Sequence, residues 1–296
     1  PALGHNSFSL EPVRHLFQQP GLLTSVWLSI ATGLTASVVS LAIVLLFVAG
    51  WSGTATFRRL TRFLSPLLSV PHAAAAIGLA FLIAPSGFLV RLVSPWATGW
   101  TRPPDVLVLN DPFGIAMTVG LVAKEVPFLF LMTLAALNRP QVQEYFKAGA
   151  SLGYGRVATF FKIVLPQIYL LIRLPVLAVV AYATSVVDVA AILGPTTPAP
   201  LAPRLVSWMN DPDLNKRLMA SAGALLQLAV STTALATYLA GERLVASASR
   251  RRLVTGHRHL RERTARYGGL LVMVIIIVAM ILSLLLLGIW SAARSW

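Results

Sequence analysis

Long apolar runs alternate along this chain with short segments that carry most of its charges. A helix needs roughly 20 apolar residues to cross about 30 Å of hydrocarbon. Six runs qualify, and they cover 22–50, 64–92, 113–137, 166–193, 218–240 and 268–290, the second of them interrupted by prolines. Because lipid offers the backbone no hydrogen bonds and the runs do not alternate as barrel strands do, the pattern predicts an all-α membrane protein with about six transmembrane helices.

The composition agrees with this prediction. The 296 residues are 56% hydrophobic and only 11% charged, whereas a soluble domain has about 25% charged residues. The net charge of +14 comes from basic clusters between apolar runs, as expected for orientation signals in a lipid membrane, so we predict no nucleic-acid partner. The absence of cysteine excludes disulfides and thiol chemistry.

The basic residues also predict an orientation. Fifteen of the 24 lie in the connections 51–63, 138–165 and 241–267, which should therefore be cytoplasmic. The segments 1–21, 93–112 and 194–217 carry few basic residues and should lie outside.

The two ends of the chain predict a longer parent protein. Residues 1–21 form an extracytoplasmic segment that begins at Pro1 and has no charge-flanked insertion signal, so we expect a helix before it. Residues 246–267 form a basic cytoplasmic linker, and 268–296 an additional membrane helix that resembles the opening of a second half.

The most informative connection is 138–166, and within it the segment KAGASLGYGRVATFFKIVLPQI, which starts at Lys147. Small residues lead to Gly153, a short amphipathic stretch follows, and Leu165 and Pro166 open the next membrane helix, where proline is tolerated in the first turn. The pattern indicates helix, glycine bend, helix. An ordinary amphipathic hairpin at the membrane interface would give a similar pattern.

This segment resembles the EAA loop of permease subunits of binding-protein-dependent ABC importers. That motif has Glu-Ala-Ala, three residues, Gly, nine residues, then Ile, any residue, Leu and Pro. Here Gly153 is followed after nine residues by Ile163, and Leu165-Pro166 follows in register.

At the front of the motif, Glu-Ala-Ala falls on Lys147, Ala148 and Gly149, so a base replaces the acid. Residues 64–82 and 182–206 look like two further core helices of the molybdate, sulfate, iron and thiamine permeases.

The resemblance implies a type I importer permease with a five-helix core at 22–245 in the bacterial inner membrane. It also implies that the chain is one half of a fused two-half permease. It implies ABC ATPase subunits docked at the loop, an extracytoplasmic solute-binding protein, and a second permease half or subunit. Since G-x-x-x-x-G-K-[ST] is absent from the sequence, ATP hydrolysis is expected on a partner chain, and this chain is expected to be non-catalytic and to need no cofactor.

Some polar residues inside the apolar runs have two interpretations. Asp188 could line the pathway near an outer gate or make a helix-packing hydrogen bond, and Gly194 opens a proline-rich outer loop that could act as the gate. Lys124 and Glu125 are adjacent on a helix and diverge by about 100°, so each needs a partner from another helix. The five histidines show no metal-ligand spacing.

Two other classes of protein stay open at this point. A secondary transporter would usually show paired broken helices and an internal repeat, and no repeat is visible in the sequence. A membrane enzyme would need convergent His, Asp or Glu side chains at one membrane face, and the carboxylates here are scattered. The transported substrate is not readable from the sequence.

Overall fold

The computed structural model describes residues 9–254 and 262–292, and its regular elements are all helices. In chain order they are α1 Glu11–Phe17, α2 Leu22–Trp51, α3 Ala55–Leu68, α4 His72–Ile83, α5 Phe88–Val93, α6 Ile115–Leu137, α7 Pro140–Ser151, α8 Arg156–Thr159, a π-helical segment Phe160–Val164, α9 Leu165–Ser185, α10 Asp188–Leu193, α11 Leu201–Met209, α12 Leu214–Val254 and α13 Arg263–Ala292.

Six helical stretches are long and apolar enough to cross a membrane, as the hydropathy pattern predicts. They cover Leu22–Trp51, His72–Val93, Ile115–Leu137, Arg156–Ser185, Leu214–Ser249 and Arg263–Ala292. The fold is therefore that of an all-helical, multi-pass membrane protein.

Two of the predicted spans are broken, and the prolines of the second run already indicated its interruption. In 64–92, Pro66 is accommodated inside α3, and the helix ends only at Leu68; α4 starts afresh at His72. In 166–193, α9 ends at Ser185 and α10 starts at Asp188. Asp188 thus lies at the beginning of a short separate helix rather than within a continuous span.

The predicted linker 246–267 is also more helical than expected. Helix α12 continues to Val254 and α13 begins at Arg263; residues 255–261 lie outside the described ranges. Of the predicted N-terminal segment 1–21, residues 1–8 lie outside them too, and the rest includes α1.

Helix α2 lies at the centre of the bundle and packs against α6, α9 and α13. Its small hydroxyl side chains are buried because they bond to carbonyls of the preceding turn, as Ser29 does to Ser25 and Thr32 to Leu28. Towards one end of the bundle, the rings of Phe47, Phe57 and Phe130 pack together, joining α2, α3 and α6.

Helix α13 packs on α2 and α4 at close range. At Gly78 of α4, a Cβ atom would lie 2.8 Å from the carbonyl oxygen of Ser283, so only glycine fits this approach. The extra helix is thus part of the same packed body as the core helices.

We use "basic side" for the end of the bundle where α2 and α6 end and where α3, α9 and α13 begin, because the three basic connections meet there. The "opposite side" is the end that carries α5, α10 and α11.

Candidate functional site: a basic-side loop and a membrane-embedded polar centre

The loop between α6 and α9 consists of a helix, a tight turn and a second helix. Helix α7 ends at Ser151, and Gly153 adopts φ +77°, a left-handed conformation that favours glycine. The N–H groups of Gly153 and Tyr154 donate to the carbonyls of Ala150 and Gly149, which satisfies the last turn of α7. The left-handed turn and its two hydrogen bonds therefore explain why small residues lead to Gly153 in the sequence.

The buried face of α7 requires a second glycine. Gly149 is buried against Thr159 of α8, and any Cβ at this position would collide with that side chain. Lys147 and Ala148, which come just before Gly149 in the same helical turn, are exposed. Of the three residues aligned with Glu-Ala-Ala, two are thus available to a partner surface, and one fixes the angle between α7 and α8.

The second part of the loop leads into the membrane helix without a break. Helix α8 passes through the π segment Phe160–Val164 into α9, so the helix starts at Arg156, ahead of the Leu165-Pro166 start that we expected. Phe160 is fully buried, Ile163 and Leu165 are half-buried, and Pro166 is exposed. A π turn carries one extra residue per turn and often marks a functional segment.

Glu262 and Ser52 attach this loop to the rest of the bundle, and a further contact joins α2 to α13 beside it; no local sequence pattern predicts these contacts. Both carboxylate oxygens of Glu262 accept hydrogen bonds, from Val157 N–H and Ala158 N–H, each at 2.7 Å. The guanidinium of Arg156 donates to the carbonyl oxygen of Ser52, just after α2. Trp51 Nε1 donates to the carbonyl oxygen of Arg266 at 2.9 Å.

Glu262 satisfies two N–H groups of the first turn of α8, where a helix leaves its donors unpaired and where negative charge is favourable. The residue just before α13 is therefore a cap of the loop's second helix. A motion of the loop relative to α13 would break these bonds.

A membrane-embedded polar centre lies at the break between α3 and α4. Lys124 Nζ donates to the carbonyl oxygens of Leu67 and Leu68, at 3.0 Å each, at the C-terminal end of α3. Glu125 lies 3.6 Å from His72 Nε2, at the first residue of α4. The ammonium thus meets the negative end of one helix, and the carboxylate faces the positive end of the next.

Lys124 thus has its partners on another element, as predicted, whereas Glu125 has only the 3.6 Å approach of His72, and its Oε1 has no hydrogen-bond partner among the described residues. Their burial is nearly complete, at 3% and 4% exposure. His72 also packs against the ring of Tyr182, with centroids 4.7 Å apart, and so joins the breaks of both interrupted spans. The described residues hold no group of three or more His, Asp or Glu side chains arranged for a metal.

Asp188 and Gly194 lie at the two ends of α10, away from the loop. Asp188 is half-buried at the first turn, next to Tyr182. Gly194 is buried, and its carbonyl oxygen accepts a 2.7 Å hydrogen bond from Asn110 Nδ2. A Cβ at Gly194 would lie 2.6 Å from the carbonyl oxygen of Ala190, so glycine is required here.

The predicted site residues therefore form two groups. Those of the loop lie together on the basic side, and Asp188 and Gly194 lie on α10. Sequence reasoning missed Glu262, although a lone acid in a run rich in arginine was a visible signal. It also missed Ser52, whose contribution is a backbone carbonyl.

Taken together, six apolar spans, two of them interrupted, and a structured basic-side loop define a multi-pass membrane protein. No family model matches the chain. Over 235 residues it is 33% identical to the inner membrane ABC transporter permease protein YnjC of Escherichia coli (strain K12), a match that covers 79% of this chain. The chain belongs to the ABC transporter permeases of the inner membrane.

The chain spans 44% of the length of that relative. What the whole relative does is therefore not transferred to this chain directly.

Proposed function

We propose that this chain is the permease half of an ATP-driven importer, and that α7, the Gly153 turn and α8 form the loop through which a separate ATPase drives it. The observation that carries the proposal is the match between the motif and the shape of this loop. The motif glycine, Gly153, lies where the backbone is left-handed, and Gly149, at the motif's second alanine, lies where the packing admits only glycine. Lys147 and Ala148, at the position of Glu-Ala, are exposed.

In this proposal the basic side faces the cytoplasm, in agreement with the positive-inside rule. The ATPase contacts Lys147 and Ala148, and a solute-binding protein delivers substrate at the opposite side, near α10 and α11. A second permease half completes the pathway.

Movement of the ATPases would displace α7 and α8 as one body, since Gly149 and Thr159 pack without space between them. Because α8 continues through the π segment into α9, that displacement would reach the break at Asp188 directly. The scheme is a two-state one in which ATP binding biases a single rigid element.

Cysteine cross-linking tests the proposal, because the chain has no cysteine of its own. In native membranes, Ala148→Cys should cross-link to a polypeptide that carries a G-x-x-x-x-G-K-[ST] motif, as identified by mass spectrometry. Thr197→Cys, in the connection after α10, is the matched control and should not. A cross-link to the ATPase from Thr197→Cys, or none from Ala148→Cys, would contradict the assignment.

The same two variants test the orientation. A membrane-impermeant maleimide added from outside should label Thr197→Cys in intact spheroplasts and should label Ala148→Cys only after lysis. The reverse pattern would refute the predicted topology.

A further inference from the structure

A cavity of about 410 Å³ lies on the basic side, between the connection after α2, the start of α3, the end of α6 and α7. This volume lies within the range of about 300–1,000 Å³ that small-molecule sites occupy. Its position is at the membrane boundary, since the spans of α2 and α6 end at Trp51 and Leu137.

The lining of the cavity is amphiphilic. Phe57 and Val142 are buried and form, with Phe146, an apolar wall, whereas the guanidinium groups of Arg58 and Arg156 give the cavity its charge. All of the lining residues are described, and none of them is acidic. Such a lining matches the chemistry of an anion with an apolar part.

Arg156 carries a donor that lacks a partner. Its Nη2 donates to Ser52, and its guanidinium lies 5.4 Å from the centre of the Phe146 ring. Its Nε is buried and has no hydrogen-bond partner among the described residues. Because Nε is itself buried, a ligand in the cavity would bond to the outer N–H groups of the guanidinium, which keeps its full charge next to the cavity.

A second cation makes an anion more favourable still. Arg266 of α13 is close enough to Arg156 for the two guanidinium charges to repel one another. Glu262, the nearby acid, already uses both of its oxygens on the N–H groups of α8.

We propose that this cavity binds the phosphate headgroup of an anionic phospholipid, with Arg58 and Arg156 as its donors and the wall of Phe57, Val142 and Phe146 against the glycerol and upper acyl groups. A lipid fits better than a free phosphate ion, because the cavity lies at the membrane boundary and half of its lining is apolar. Basic pockets between transmembrane helices on the cytoplasmic face are suited to such headgroups. The bound lipid would connect α3 to α7 and so brace the loop.

The test compares two neighbouring arginines of α3. Arg58 lines the cavity, whereas Arg59 is the next residue, points about 100° away and is exposed outside it. Arg58→Gln and Arg59→Gln remove the same charge. The purified full chain, in detergent, is titrated with phosphatidylglycerol or phosphatidylcholine, and bound lipid is counted by native mass spectrometry.

We expect the wild-type chain and Arg59→Gln to prefer phosphatidylglycerol, and Arg58→Gln to lose about fivefold in affinity for it. A melting curve for each variant verifies that it is folded. Equal binding of the two lipids by the wild-type chain, or equal losses in both variants, would overturn the proposal. Displacement of phosphatidylglycerol by inorganic phosphate at the same concentration would show a free-anion site instead and would overturn the lipid assignment. Since no ATPase is needed, the result is independent of the proposed transport function.

Discussion

The ammonium group of Lys124 should be one of the main structural supports of the broken second span. It donates two hydrogen bonds of 3.0 Å to the carbonyls that end α3, and it is 97% buried in a region where no solvent could replace it. Lys124→Met keeps the length and apolar stem of the side chain and removes only the charged donor. The two carbonyls then lose their partner, and Glu125 loses a neighbouring positive charge.

The magnitude follows from these contacts. A hydrogen bond from a charged group contributes about 1.5–3 kcal/mol, so two of them give about 3–6 kcal/mol. Burying the ammonium group has a desolvation cost, which lowers the net stabilisation that the two hydrogen bonds provide. Lys124→Met recovers part of that cost. We therefore expect a net destabilisation of about 2–4 kcal/mol, or a fall in Tm of about 5–10 °C for a chain of this size.

The assay is thermal unfolding in detergent, followed by the fluorescence of the seven tryptophans. Lys147→Met is the matched control, because Lys147 is exposed on α7 and its loss should change stability by less than about 0.5 kcal/mol. If Lys124→Met had the same Tm as Lys147→Met and the wild type, the two carbonyl contacts would contribute nothing to stability. Our explanation of how the break is stabilised would then be wrong.

Three further predictions concern the basic-side loop. Glu262→Ala should speed amide hydrogen exchange in the first turn of α8 by about fivefold, since a lost cap costs typically ~1 kcal/mol, whereas Glu11→Ala in α1 should leave that turn unchanged; equal effects would show that Glu262 does not cap α8. Gly153→Leu or Ala148→Arg should abolish substrate-stimulated ATP hydrolysis in the assembled complex but preserve membrane insertion, because leucine is strained at the left-handed Gly153 and arginine overfills the proposed contact of exposed Ala148 with the ATPase, at about 1–3 kcal/mol each; full stimulation in both variants would remove the loop as the docking site. If Lys147 faces an acidic ATPase surface, Lys147→Glu should weaken assembly, more so at low salt where repulsion is less screened; co-purification that does not depend on salt would show that Lys147 points to solvent.

The spans could be predicted from the sequence because a long apolar run has few alternatives to a membrane helix. The interruption of those spans was harder. The prolines of 64–92 indicated an interruption, and the break lies at Pro71, between Leu68 and His72. Pro66, by contrast, is accommodated inside α3, whose last carbonyls Lys124 satisfies. Nothing in the run around Asp188 signals that α9 ends just before it.

Contacts between residues far apart in the chain could not be predicted from local sequence patterns either. Glu262 and the loop it caps are 104 and 105 residues apart in the chain, and no local pattern links them. By contrast, Gly149 and Gly153 could be singled out because their roles are local ones: a left-handed turn and a close approach within a single hairpin. The five-helix core at 22–245 and the second half after 268–296 stay predictions.

Through the π segment Phe160–Val164, the number of residues between Gly153 and α9 sets how α7 is rotated relative to α9. Each residue of a helix turns the chain by about 100° and advances it by about 1.5 Å. A one-residue deletion between Gly153 and Ile163 would therefore rotate α7 about 100° around the axis of α9 and direct Lys147 and Ala148 away from their present surface. A single insertion or deletion in this stretch should be lost under selection.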